Sequence, residues 1–166
     1  MDTLISNKFQ QMFSRLKKWL GVEGVKLEFE LPYEINADEG NLHGTLHFYS
    51  MSSVEVTAVE IAFVERYRRG RGKEKLIDEY ELGRIELNEK LQIEAEVPSS
   101  IKFEIPFTVY RSRMDEFEKK NFLTRGVSTI AKLAKNVKST YRVEAKANVV
   151  GTALHPIAKK EVVVKL

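Results

Sequence analysis

The chain has 166 residues, of which 43% are hydrophobic and 31% are charged, a balance that fits one packed domain and excludes a disordered chain. The formal net charge of +3 is small, so attraction to nucleic acid or acidic lipid would have to come from local basic clusters. The absence of cysteine excludes disulfides and thiolate-ligated metals and fits a reducing compartment.

Residues 1–21 have the pattern of an amphipathic helix that ends at Gly21. Such an apolar face has to be covered, so we expect it to dock on its own domain, on a partner or second copy, or on a membrane surface. No secretory cleavage site and no stretch of roughly 20 apolar residues is present, so we expect a cytoplasmic protein. The apolar face consists of Ile5, Phe9, Met12, Phe13, Leu16, Trp19 and Leu20.

Residues 25–166 form a second unit, in which the two-residue alternation of β-strands predominates. Between Val56 and Val59 the apolar phase slips by one residue, which predicts a β-bulge. Around eight one-sided strands separated by turns favour an all-β, immunoglobulin-like sandwich of two antiparallel sheets. The predicted strands cover 25–31, 42–49, 54–63, 76–87, 91–97, 103–109, 141–149 and 162–164.

The stretch 114–138 interrupts this β pattern. Ser112 and Asp115 have capping-box spacing, and apolar residues recur at helical spacing between Val127 and Val137. We therefore expect a short helical insertion, of one or two helices, within the sandwich domain.

Three sequence motifs occur in the order found in one known family. Leu27–Leu31, a turn at Glu39-Gly40 and Leu42–Leu46 match an opening strand pair, Ile101–Phe107 matches a Phe-x-Ile-Pro strand end, and Thr140–Ala147 matches a Tyr-x-Val-x-Ala strand. Together they resemble the N-terminal-type β-sandwich of the arrestin family, especially the bacterial arrestin-like proteins named for sporulation control.

The resemblance implies a non-enzymatic scaffold or adaptor whose activity is binding. It extends over roughly residues 25–166, which leaves room for one of the two domains usual in arrestins. The helical insertion departs from the family pattern, so receptor binding and phosphate sensing are not carried over to this chain.

No residue pattern indicates catalysis, a metal or a cofactor. The sequence has no Gly-x-Ser-x-Gly, P-loop or Gly-x-Gly-x-x-Gly motif. His43 and His47 are four residues apart on a predicted strand, which separates their rings by about 13 Å, too far for two ligands of one zinc ion. We expect both histidines to face solvent.

The strongest charge feature is the basic hairpin, residues 66–75, with Arg66, Arg68, Arg69, Arg71 and Lys73. Arginine pairs well with phosphate, so the hairpin could bind nucleic acid, anionic lipid or an acidic protein. Alternatively it is a solvated loop whose field is offset by Asp78, Glu79 and Glu81.

The sequence therefore predicts a scaffold that binds a protein partner of unknown identity. The surfaces predicted for this contact are a sheet edge, a loop end and the first helix, through Phe9, Phe13, Leu16 and Trp19. The alternative is a membrane- or polyanion-binding module that uses the basic hairpin and the first helix. A homodimer through the first helix is left open, as is the question of which sheet edge is exposed.

Overall fold

The structure is a computed structural model that describes residues 24–70, 76–109 and 138–165. These residues form two β-sheets and a 3₁₀ turn at Ala37–Glu39. The strands are β1 (Lys26–Glu30), β2 (Glu34–Asn36), β3 (Asn41–Tyr49), β4 (Val54–Arg69), β5 (Leu76–Leu87), β6 (Leu91–Ile93), β7 (Ser99–Pro106), β8 (Lys138–Val149) and β9 (Ile157–Lys165).

The smaller sheet contains β1, β3 and β7, in that order and all antiparallel. Its inward face follows the alternation in the sequence, since Phe29, Leu46 and Phe103 are buried while their polar neighbours point outward. The rings of Phe29 and Phe103 meet edge to face, with centroids 5.8 Å apart. The first and second sequence motifs thus form one face of the core.

The larger sheet has the order β2-β9-β8-β4-β5, and β6 also pairs with β4. The predicted bulge in β4 is present as a register shift against β8 between Val56 and Ala58. A second shift, not predicted, occurs against β5 between Phe63 and Val64. The expectation of purely antiparallel sheets was wrong at β2, which pairs in parallel with β9.

The core lies between the two sheets and is made almost entirely of aliphatic and aromatic side chains. Both sheets contribute, because the third sequence motif supplies Val143 and Ala145 from β8 opposite the residues of β3 and β7. The large, fully buried side chains are Leu42, Leu46, Phe48, Val56, Ile61, Phe63, Ile93, Ile105 and Val143.

On one side the two sheets meet where the end of β7 crosses β5. Thr108 donates its backbone N–H to the carbonyl of Leu82 at 3.1 Å. A Cβ on the neighbouring Gly83 would lie 2.2 Å from the carbonyl oxygen of Pro106 and 2.9 Å from Ile105 Cγ2. Glycine is therefore required here because two backbones approach each other closely.

Some predicted elements differ from the structure or lie outside the described residues. The strand predicted over 91–97 ends at Ile93, and a turn follows in which Glu96 has a φ of 61°. The short strand β2 was not predicted. The helix over 1–21 and most of the helical insertion over 114–138 lie outside the described residues.

Candidate interaction surfaces

The larger sheet continues past Phe63 as a three-stranded projection, which we call the arm. It consists of residues 64–69 of β4, 76–81 of β5 and 138–142 of β8, with β4 in the middle. At its base Phe63 is fully buried, and its ring centroid lies 5.1 Å from that of Phe107 and 6.2 Å from that of Tyr141. Because side chains alternate along strands, the arm has two faces of different chemistry.

The outer face of the arm carries an ion-pair network centred on Arg142 of β8. Arg142 donates to Glu79 at 3.0 Å and to Glu144, which also accepts from Lys159 at 2.8 Å. The hydrogen bond from Arg142 lowers the pKa of Glu79, and its bonds to both glutamates raise the pKa of Arg142. Burial alone would raise the pKa of Glu144, but the hydrogen bonds from Lys159 and Arg142 outweigh it, so that pKa is also lowered.

A second cluster on the same face is centred on Arg84 of β5. Its guanidinium lies 2.6 Å from a carboxylate oxygen of Glu60 and also donates to Glu81. The hydrogen bond from Arg84 lowers the pKa of Glu81, and the pKa of Arg84 is raised in turn. This face is therefore a solvated ladder of opposite charges spread across β5, β4, β8 and β9.

Replacing Glu79, Glu81 and Glu144 together by glutamine is expected to make the free energy of unfolding depend less on pH in the acidic range. Their pKa values lie below the ordinary value of 4.5 in the folded chain. Their stabilising contribution is thus complete above that value and is lost as the pH falls through the folded values. We expect the triple variant to be less stable than the parent by about 1–2 kcal/mol at pH 7, and this difference to shrink as the pH falls below 4.5, by urea unfolding.

The matched control is Glu86→Gln, on the same face of β5, because Glu86 makes no ion pair among the residues the structure describes. Because Glu86 lies directly opposite Glu60 and like charges across a strand pair are destabilising, this variant should be no less stable than the parent at pH 7. A triple variant that loses stability equally at pH 7 and pH 3 would show that the three carboxylates act by packing and not by charge.

The inner face of the arm is aromatic and polar. Glu65 is buried and accepts a hydrogen bond from the Tyr141 hydroxyl at 3.4 Å. Tyr67 and Tyr80, on adjacent strands, meet edge to face with centroids 6.4 Å apart. The inner face therefore presents aromatic rings and hydroxyl groups, and it carries fewer charged side chains than the outer face.

The basic hairpin predicted from the sequence is partly neutralised in the structure. Arg66 lies 3.9 Å from Glu79 and Arg69 lies 3.7 Å from Asp78, both across the β4–β5 ladder. Arg68 lies opposite Ile77, and its buried Nε has no hydrogen-bond partner among the described residues. The other two predicted residues, Arg71 and Lys73, lie outside the described residues.

The part of β5 that precedes Leu82 is an edge strand. In the described parts of the chain, residues 76–81 pair with β4 on one side only, so about half of their backbone groups point away from the sheet. Leu76, Ile77 and Tyr80 are 55%, 40% and 46% exposed. We call residues 76–81 the open edge.

The other long edges of the sandwich are less accessible. The free side of β1 faces β9, and the side-chain Nζ of Lys160 in β9 donates to the backbone carbonyl of Phe29 at 2.9 Å. The end of β7 is joined to β5 through Thr108 and Leu82. The two remaining edge strands, β2 and β6, have three residues each. The open edge is therefore the long stretch of described strand that is best placed to accept another strand.

The histidines differ from the expectation that both face solvent. His43 is largely exposed beside Glu104 at 3.8 Å, whereas His47 is buried, 3% exposed, with its Nε2 3.1 Å from Glu30. Each contacts a carboxylate on a different neighbouring strand. In the described residues no three histidine or acidic side chains are grouped as metal ligands would be.

The first helix, with Phe9, Phe13, Leu16 and Trp19, lies outside the described residues, so its predicted role in binding stays a prediction. Within the residues that the structure does describe, no helix has the length and apolarity needed to cross a membrane. Sequence reasoning missed the open edge as a specific surface. The available signal was that apolar residues in 76–80 fall on both faces of one strand, at Leu76, Ile77 and Tyr80.

The chain matches no protein family profile and no curated protein. Among solved structures it is similar to Spo0M, a sporulation control protein from Bacillus subtilis, with a TM-score of 0.59 and 9% sequence identity. The likeness covers 87% of this chain and 51% of the Spo0M chain, so this chain spans about half the length of that protein. At this identity the likeness concerns the fold alone. The chain therefore has an arrestin-like β-sandwich fold, as its three sequence motifs predict.

Proposed function

We propose that this chain is a non-enzymatic scaffold domain that binds a protein partner by strand addition along the open edge. The observation that carries the proposal is that residues 76–81 combine outward-pointing backbone groups with exposed apolar side chains. Backbone hydrogen bonds to an added strand would supply affinity, and the alternating side chains of the edge would supply specificity.

The position of the open edge supports this role. It belongs to the arm, whose central strand β4 is paired on both sides with β5 and β8. A strand held in this way is already in the extended conformation that an incoming strand needs, so little ordering of the scaffold accompanies binding. The exposed apolar side chains of this edge would gain burial against an added strand.

The alternative, a membrane- or polyanion-binding module, gains less from the geometry. Arg66 and Arg69 of the basic hairpin lie beside Glu79 and Asp78, which reduces the field that phosphate groups would meet. We therefore favour the protein partner.

Replacing Ile77 and Tyr80 together by lysine should abolish partner binding. Both side chains are exposed, so the fold should be retained. The substitutions remove the apolar contacts that an added strand would make at these two positions and replace them with charges. The measurement is affinity capture from native lysate with quantitative mass spectrometry, comparing this variant with the parent chain. We expect the specific partner to fall at least tenfold.

The matched control carries the same change at two exposed apolar residues of β9, Ile157 and Val163. It should capture the partner as well as the parent does, and circular dichroism should show that all three proteins are folded. If the open-edge variant retains the partners captured by the parent, the open edge is not the binding surface.

A further inference from the structure

The open edge is acidic. Asp78, Glu79 and Glu81 occupy three of its positions, residues 76–81 contain no basic residue, and the three side chains are 41%, 51% and 45% exposed. Asp78 contacts Arg69, and Glu79 contacts Arg66 and Arg142; all three arginines lie on the side of β5 where the rest of the sheet lies. Glu81 contacts Arg84, which belongs to β5 itself. A carboxylate has about four acceptor sites, so the side facing away from the sheet stays available.

The same charges oppose pairing between two copies of this chain in three of the possible registers. Antiparallel pairing about a two-fold axis at Asp78 sets Asp78 opposite itself, and an axis at Glu79 sets Glu79 opposite itself. An axis at Tyr80 sets Glu79 opposite Glu81. Like charges directly opposite each other destabilise a strand pair, so these three registers are disfavoured.

Building on the proposed function, we propose that the open edge accepts an extended segment that carries lysine or arginine opposite Asp78, Glu79 and Glu81. Apolar side chains of the same segment lie opposite Leu76, Ile77 and Tyr80. Opposite charges and apolar pairs across neighbouring strands both stabilise pairing. An antiparallel partner strand then has the pattern basic, apolar, basic, basic, apolar, apolar.

The faces of the arm agree with this pattern. Leu76, Asp78 and Tyr80 lie on the inner face with Tyr67, whereas Glu79 and Glu81 lie on the outer face with the ion-pair network. An added strand would therefore extend the aromatic inner face on one side. On the outer face, the added strand would supply cations next to Glu60 and Glu81, two carboxylates that share one guanidinium, that of Arg84.

The test uses the full chain and four labelled ten-residue peptides, with binding followed by fluorescence anisotropy. The basic peptide has the core Lys-Val-Lys-Lys-Val-Val flanked by threonines. The neutral peptide has threonine in place of every lysine, and the acidic peptide has glutamate in place of every lysine. The proline peptide keeps the lysines and has proline in place of the first of the two adjacent valines. We expect the basic peptide to bind about tenfold more tightly than the neutral one at 50 mM salt, and the acidic and proline peptides not to bind.

Asp78→Lys is expected to remove most of the preference for the basic peptide, at little cost in stability because its contact with Arg69 is an exposed one. The matched variant Glu86→Lys makes the same charge change on β5 beyond the crossing at Leu82. It should keep the preference. Raising the salt to 500 mM should shrink the preference to about twofold, as expected for exposed charges.

The outcomes separate this inference from the proposed function. Equal binding of the basic and neutral peptides overturns the basic preference and leaves strand addition standing. Binding of none of the peptides overturns both. A dimer in sedimentation equilibrium that is lost in the Ile77→Lys, Tyr80→Lys variant would show that a second copy occupies the edge, which also overturns the inference.

Discussion

The Gly83→Ala variant is expected to lose about 3 kcal/mol of unfolding free energy, or not to fold at 37 °C. The added methyl group would lie 2.2 Å from the carbonyl oxygen of Pro106, a backbone atom that cannot rotate away. Relief requires β7 to move from β5, which also strains the hydrogen bond between Thr108 and Leu82. Overpacking of this kind commonly costs 1–3 kcal/mol or more, and urea unfolding measures it.

Gly151→Ala is the control, since Gly151 has a φ of 78° and nothing within 4 Å of an added Cβ. It should lose only the roughly 1–2 kcal/mol that a left-handed conformation costs an alanine. If Gly83→Ala is no more destabilising than Gly151→Ala, the crossing of β7 over β5 is looser than the structure indicates.

The Phe63→Ala variant is expected to lose about 3–5 kcal/mol of unfolding free energy, the usual cost of emptying a buried phenylalanine site. Phe63 is fully buried and packs edge to face on Phe107, which follows β7 of the other sheet. Its removal therefore weakens both the core and the base of the arm. For a chain of this length the melting temperature should fall by about 10 °C.

Two controls define what Phe63 does. Phe63→Leu keeps most of the volume and should lose about 1 kcal/mol, while Tyr33→Ala, at an 85% exposed residue, should change stability by less than about 0.5 kcal/mol. If Phe63→Ala unfolds like the parent chain, the two sheets do not depend on this contact.

The strands were predictable where one face is buried and the other is not. β3 shows this clearly, because Leu42, Leu46 and Phe48 share a face that the alternation in the sequence already indicates. The bulge near Val56 was predictable for the same reason, since the inward phase has to be restored after an extra residue. Alternation therefore predicted most of the sandwich.

The errors occur where burial does not come from alternation. Ala95 and Val97 continue the alternation after Ile93, yet they are exposed because Glu96 turns the chain. His47 points to the outward face of its sheet and is nevertheless buried beside Glu30. The three residues of β2 are too few to show any period. In each of these cases tertiary contacts determine the structure, and tertiary contacts cannot be read from the alternation of apolar and polar residues.

The open edge was unpredictable for a related reason. Whether a strand is central or at an edge depends on which strands lie beside it, and the sequences of β4 and β5 are both rich in alternating charges. The basic hairpin, by contrast, was visible in the sequence. The pairing of Arg66 and Arg69 with carboxylates depends on the register of β4 against β5.

The parallel pairing of β2 with β9 has a consequence for the time course of folding. It joins Glu34 to Val163 and Ile35 to Val164, residues from opposite ends of the described chain, and β9 also completes the pairing of β8. Closing so long a loop costs entropy before any contact repays it, so such strands join late. During synthesis on the ribosome, β8 can pair with β4 before β9 has emerged. Until β9 arrives, the other edge of β8 is exposed and is a second, transient site for misassembly.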